Sequence, residues 1–188
     1  NYQKWSDTLL PNTRLILEPK IIGSIIGLQY IGGKLNKAIN KYCKDITREV
    51  IYLKSIPKRL PIIERIEIKG VLYNNENIVD KNKKGEHMSI EQSKAESKGI
   101  KFCALQIFHC KINQFQSLQE LEKLNFKIPQ THFTKLISEI EIYRQCWKEG
   151  KLFQSYPTNG IVLKVNSRKL QNCLGDNNLT LLWAYSIN

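Results

Sequence analysis

Short runs of alternating apolar and polar residues open the chain. Arg14 to Glu18, Ser24 to Tyr30 and Lys34 to Ile39 each show the two-residue period or compact apolar run of a strand. Gly32 and Gly33 stand between the second and third runs and supply the backbone freedom of a tight turn, which predicts a hairpin. Asp45 to Ser55 places apolar residues at 46, 50, 51 and 53 with Pro57 beyond, the pattern of a short helix stopped by proline. Glu64 to Tyr73 alternates again as a half-buried strand. From Asn74 to Lys98 the chain turns polar and includes Lys81, Lys83 and Lys84, so a mobile loop followed by a weak helix is expected. Order resumes from Ile100 to Phe108.

Ser117 and Glu120 have the spacing of a capping box, predicting a helix that starts at Ser117 and runs to about Asn125. A second helix is predicted from about Phe133 to Glu149, with Leu136, Ile137, Ile140, Tyr143 and Trp147 on one face and Gly150 at its end. That stripe reads as core packing. Gly160 to Val165 and Leu181 to Ile187 read as closing strands. Strands early, helices in the middle and strands at the end predict an α+β domain of antiparallel sheets with flanking helices. The expected organisation is a single domain over 1–188, with 1–13 as an N-terminal lead-in and 74–98 as the mobile loop.

The chain has 188 residues, 41% hydrophobic and 24% charged, which suits a globular fold with a core of ordinary size. Against 17 acidic residues stand 29 Lys and Arg, a formal +12 that could attract phosphate backbones. The same excess, rich in Lys beside Asn and Ile, also fits an AT-rich genome. Five cysteines without a CxxC pair indicate neither a zinc site nor a disulfide framework and point to a reducing, intracellular compartment. No run approaches the ~20 apolar residues of a membrane span, and NYQKWSDTLLP has no signal-peptide core. The first residue is Asn1 rather than Met, as in a processed product or a fragment. His87, His109 and His132 lack metal-ligand spacing, so no metal site is expected from them. GxGxxG, Walker, HExxH and GxSxG motifs are absent.

The segment Leu17-Glu18-Pro19-Lys20-Ile21-Ile22-Gly23, followed by SIIGLQYIGGKL, resembles the nucleophile motif of NAD-dependent DNA ligases, in which E-x-K-x-D-G precedes a strand, a glycine turn and another strand. Four more blocks follow in that family's order: DITREVIYLKSIPKRL, IEIKGVLY, the helix ending LEKLNFKIP, and NGIVLKVNSRKLQNCLG before a terminal WAYS. Together they cover about residues 14 to 188. The resemblance implies the nucleotidyltransferase (adenylation) fold and a lysine, here Lys20, that attacks the α-phosphate of NAD to form lysyl-AMP. Such an attack needs a neutral amine, whereas a free lysine titrates at about 10.4, and it needs cations or a divalent metal to offset charge on phosphorus. Glu18, Lys164 and Lys41 fall at positions the resemblance assigns to nucleotide binding. Glu18 would accept from an adenine amino group, Lys164 would contact phosphate, and Lys41 replaces an arginine.

The sequence departs from the family pattern where the chemistry is concentrated. Ile22 replaces the motif's aspartate, and Val71 replaces the carboxylate that would receive a ribose hydroxyl. Leu105 stands where an aromatic would stack on adenine. Asn159 replaces an acid tied to metal handling, and Ser186 replaces a lysine. Glu18, Lys20, Gly23, Gly70, Gly160 and Lys164 are retained. One lost transition-state donor typically slows an enzyme by about 10² to 10³, so several such losses predict little turnover.

Bland readings stand beside each of these. Lys20 also fits an ordinary strand-end lysine, Lys164 one snorkelling from a strand, and Glu18 a solvent-exposed strand carboxylate. The expectation is a degenerate adenylation domain, non-catalytic, acting as a binding or structural part of a larger protein assembly. Two alternatives remain: a residual nucleotidyltransferase that forms lysyl-AMP on Lys20 and then needs NAD and magnesium, and a basic nucleic-acid-binding module. Nick sealing in the family also relies on further modules, including an OB-fold and a zinc finger, so this chain by itself is expected not to seal nicks.

Overall fold

The computed structural model describes residues 2–74, 99–135, 137–175 and 181–188. The elements run α1 (Tyr2–Ser6), β1 (Leu15–Ile21), β2 (Ser24–Ile31), β3 (Lys34–Asn40), α2 (Thr47–Val50), β4 (Ile66–Asn74), β5 (Ile100–Ile107), α3 (Gln114–Lys123), β6 (His132–Thr134), α4 (Ile137–Lys148), β7 (Thr158–Val165), α5 (Arg168–Leu174) and β8 (Ala184–Ile187). The α+β expectation is met, with two antiparallel four-stranded sheets. The polar stretch 75–98, His87 within it, Leu136 and the side chain of Ile137 lie outside the described residues.

The chain divides into two compact units. The first comprises Asn1–Ile21, Lys111–Gln116 and Gln130–Asn188. Its sheet has the order β6-β1-β7-β8. Directly opposed residues share a face, so the pairs Leu15↔Val165, Leu17↔Leu163 and Pro19↔Ile161 line one side of it. All six of these side chains are buried. His132, opposite Leu17, meets the rings of Tyr143 from α4 and Phe153 on that side, at 5.2 and 5.7 Å. Burial holds His132 below the usual histidine value. In the predicted stripe of α4, Ile140 is buried, whereas Tyr143 and Trp147 are half-buried and Trp147 donates to Thr158 Oγ1 at 2.8 Å.

The second unit comprises Ile22–Cys110 and Ser117–Pro129. Its sheet has the order β3-β2-β4-β5. Ile26, Leu28 and Tyr30 alternate along β2 and join Ile68, Leu72, Phe102, Leu118, Leu121 and Phe126 in one core. Phe126 packs edge-on to Tyr30 and Phe102, at 6.1 and 6.0 Å. Gly32 and Gly33, at φ 58° and 72°, make the predicted β2–β3 turn.

Several predicted elements are corrected. The helix expected over 45–55 is a single turn, Thr47–Val50. Successive turns then carry Leu53 and Ile56 into the core, ahead of Pro57. Ser117 is not a helix cap: α3 begins at Gln114, and the buried Ser117 hydroxyl accepts from the Ile107 N–H at 3.0 Å. Phe133 lies in β6 rather than a helix, and β8 is limited to Ala184–Ile187. Two helices went unpredicted. Part of the lead-in forms α1, tied down by Trp5 Nε1 donating to Leu182 O at 2.9 Å. Ser167 caps α5, accepting from Leu170 N at 3.3 Å. Among the described residues no helix is long and apolar enough to cross a membrane.

Candidate functional site

In the first unit, the side of the sheet opposite Leu15 and Leu17 gathers most of the chemistry-bearing side chains. Alternation along β1 puts Ile16, Glu18 and Lys20 there, and strand pairing adds Val162 and Lys164 from β7 and Ser186 from β8. Pro19 interrupts this strand without disturbing its pairing to β6, because the last β6 partner is already at Leu17.

Glu18 and Lys164 form a closed pair. Lys164 Nζ donates to Glu18 Oε2 at 2.6 Å, with the Lys164 side chain 10% exposed and that of Glu18 2%. Two charges survive such burial only when each offsets the other's lost hydration. The other carboxylate oxygen, Glu18 Oε1, has no hydrogen-bond partner among the described residues. The bland readings of these positions are therefore corrected: Glu18 is a buried carboxylate rather than a solvated one, and Lys164 turns inward rather than snorkelling out.

Lys20 is half-buried and donates through Nζ to Asn188 Oδ1 at 2.7 Å. Arg144 of α4 reaches the main-chain oxygen of the same Asn188 at 3.4 Å, so two cationic side chains meet at this residue. Neither Asn188 nor Arg144 was singled out in the sequence, and no local signal links positions 168 residues apart. Ser186, opposite Val162, is exposed, as is Asn159 at the irregular register between Pro19 and Ile21. Gly160 has φ 155°, and a Cβ there would lie 2.1 Å from Ile187 O.

The remaining candidates lie in the second unit, which Ile22, half-buried, opens. Val71 is buried between Ile25 of β2 and Cys103 of β5. Leu105 is half-buried and is the extra residue of a bulge, since Ala104 pairs with Gly70 and Gln106 with Lys69. A bulge of this kind re-aims the side chain at its crest. Lys41 is exposed just beyond β3, with Nζ 4.8 Å from the Tyr42 ring centre. The described residues contain no group of three or more His, Cys, Asp or Glu placed to hold a metal ion.

The sheets and their order define an α+β nucleotidyltransferase fold of the DNA ligase type. Similarity to a Lig E DNA ligase structure extends over 86% of this chain and 59% of that one, with a TM-score of 0.53 and 14% identity. An archaeal ATP-dependent RNA ligase is similar over 87% of this chain and 42% of its own, with a TM-score of 0.55 and 12% identity. In sequence, the chain is 29% identical over 212 residues to a DNA ligase of Prochlorococcus marinus strain NATL2A, covering 92% of this chain and 31% of that protein. It thus spans about a third of the length of the curated relatives it matches. No family model matches the sequence. These likenesses reach DNA ligases as a class and do not reach the NAD-dependent subtype.

Proposed function

We propose that this chain is a DNA ligase-like adenylation domain that no longer transfers nucleotides and serves as a binding or structural component of a larger assembly. The observation that carries this reading is the buried Glu18–Lys164 pair. A lysine that must neutralise charge building on phosphorus has to aim its ammonium at the phosphate, and here that ammonium is committed to a carboxylate. The replacements agree in direction. Ile22 and Val71 offer no carboxylate, Leu105 no aromatic face, Asn159 no metal-binding charge and Ser186 no cation. Among the described residues no group of carboxylates is placed to hold a divalent cation, and no step through magnesium is assigned. A free-thiol state of all five cysteines suits the reducing, intracellular compartment we infer.

The second reading is residual lysyl-AMP formation on Lys20, from NAD as the motif resemblance implies or from ATP. It is favoured by Glu18 Oε1, a buried acceptor without a partner on the same sheet face as Lys20. An exocyclic amino group of adenine would satisfy it. Intact-mass measurement after incubation with NAD or ATP and magnesium separates the two readings. An unchanged mass is expected, and an AMP adduct that disappears in Lys20→Ala would reverse the assignment.

A further inference from the structure

The exposed basic residues are unevenly distributed in the second unit. Between Lys34 and Arg59 lie eight Lys and Arg against Asp45 and Glu49 alone, a net +6 that is half the formal charge of the chain. All eight are exposed. They follow one continuous piece of structure. Lys34 is bridged to Arg59 at one end of β3, Ile39 is bridged to Asp45 near the other, and Thr47 Oγ1 accepts from Ala38 N at 2.8 Å between them. The Asp45 carboxylate accepts from Thr47 N at 2.9 Å and from Thr47 Oγ1 at 2.7 Å, which ties the start of α2 to the end of β3. The seven residues of β3 make this strip roughly 20 Å long.

Lysines on the outer strand of a sheet often serve to repel a second strand, but that need is already met here. Leu35 N donates to Lys58 O, Leu60 N to Gly33 O, Ile46 N to Ala38 O and Asn40 N to Lys44 O, so the outer edge of β3 is paired by the chain's own backbone. The charge therefore calls for another account. Two tyrosines rise among the cations, Tyr42 at 71% exposure and Tyr52 at 65%. Solvated rings alternating with cations match the needs of a flexible strand whose bases must stack while its phosphates are neutralised.

We propose that the strip formed by Lys37, Lys41, Lys44 and Arg48, with Tyr42 and Tyr52, binds single-stranded nucleic acid. The cations contact phosphates and the tyrosines stack on bases. This inference does not depend on whether adenylation has lapsed, and its test can fail without touching that reading.

The test is fluorescence anisotropy of the whole chain with a labelled 20-nucleotide oligothymidylate, its RNA counterpart and a matched duplex, across a salt series. With four phosphate contacts, log K for the single strand should fall against log salt with a slope of roughly −3. Lys41→Ala should lower that slope by about 0.7. Tyr42→Ala with Tyr52→Ala should weaken single-strand binding about thirtyfold or more while leaving the duplex value unchanged. Lys101→Ala with Lys127→Ala, basic residues elsewhere in the unit, should leave binding intact, and circular dichroism confirms that each variant is folded. Absent binding, a duplex preference, loss of affinity equal in the Lys101/Lys127 variant, or insensitivity to the tyrosines would each overturn the proposal. Preference between the DNA and RNA strands reports which source the surface serves.

Discussion

Lys164 Nζ lies 2.6 Å from Glu18 Oε2 although the two residues are 146 positions apart, and both side chains are almost wholly shielded from water. Removing one partner leaves an uncompensated buried charge, which costs about 3–5 kcal/mol in comparable pairs. Lys164→Met and Glu18→Leu should each destabilise by that amount, and the double variant should recover most of the loss. Urea unfolding of the four species as a double-mutant cycle reads the coupling directly. Single variants within 1 kcal/mol of the parent would show that the pair contributes little to the fold.

Gly70 is a second pressure point, because an added Cβ would meet the Phe102 ring at 2.1 Å and Cys103 O at 2.6 Å. Gly70→Ala should destabilise by about 1–3 kcal/mol through overpacking. Shortening the ring with Phe102→Leu should give only partial relief, since the backbone oxygen stays in place. Thermal unfolding of the three variants checks the order.

Tyr30 sets an alkaline limit. Its hydroxyl donates to Pro57 O at 2.6 Å, and burial pushes its ionisation above the ordinary tyrosine value. A group whose folded pKa is raised contributes stability that is full below its unfolded value, about 10, and is lost as pH rises beyond that toward the folded value. Tyr30→Phe should therefore be less stable at pH 7 by about 1 kcal/mol, and its deficit should shrink from pH 10 upward. Denaturant midpoints of both proteins between pH 7 and 11 test the sign.

Two serines should respond differently to alanine. Ser117→Ala strands the Ile107 N–H in a buried setting and should cost about 1–3 kcal/mol. Ser167→Ala removes the cap of α5 and should cost about 1 kcal/mol. Urea midpoints give both values, and slower exchange at the Ile107 amide than at Leu170 in the parent protein would support the ranking.

These serines also show what could be read in advance. Ser117 with Glu120 has the spacing of a cap and is none, because its hydroxyl is claimed by a strand amide ten residues earlier in the chain. Ser167 is a cap, but α5 escapes a periodicity reading because its buried residue is Gln171, whose amide donates to Val165 O at 2.6 Å. The hairpin of β2 and β3 was legible because alternation and two glycines agree locally. The positions of Lys20, Glu18 and Lys164 could be picked out by motif, but not their partners. Neither the closure of Glu18 onto Lys164 nor that of Lys20 onto Asn188 leaves a trace in neighbouring residues.

Gly160 bears on how kinship should be interpreted. Since a methyl group at this point would collide with the carbonyl of Ile187, any amino-acid replacement here would pry the last strand from its neighbour. Purifying selection would hold this glycine in an inert descendant as firmly as in a working enzyme. Its presence in this chain is therefore a record of architecture and carries no vote on turnover.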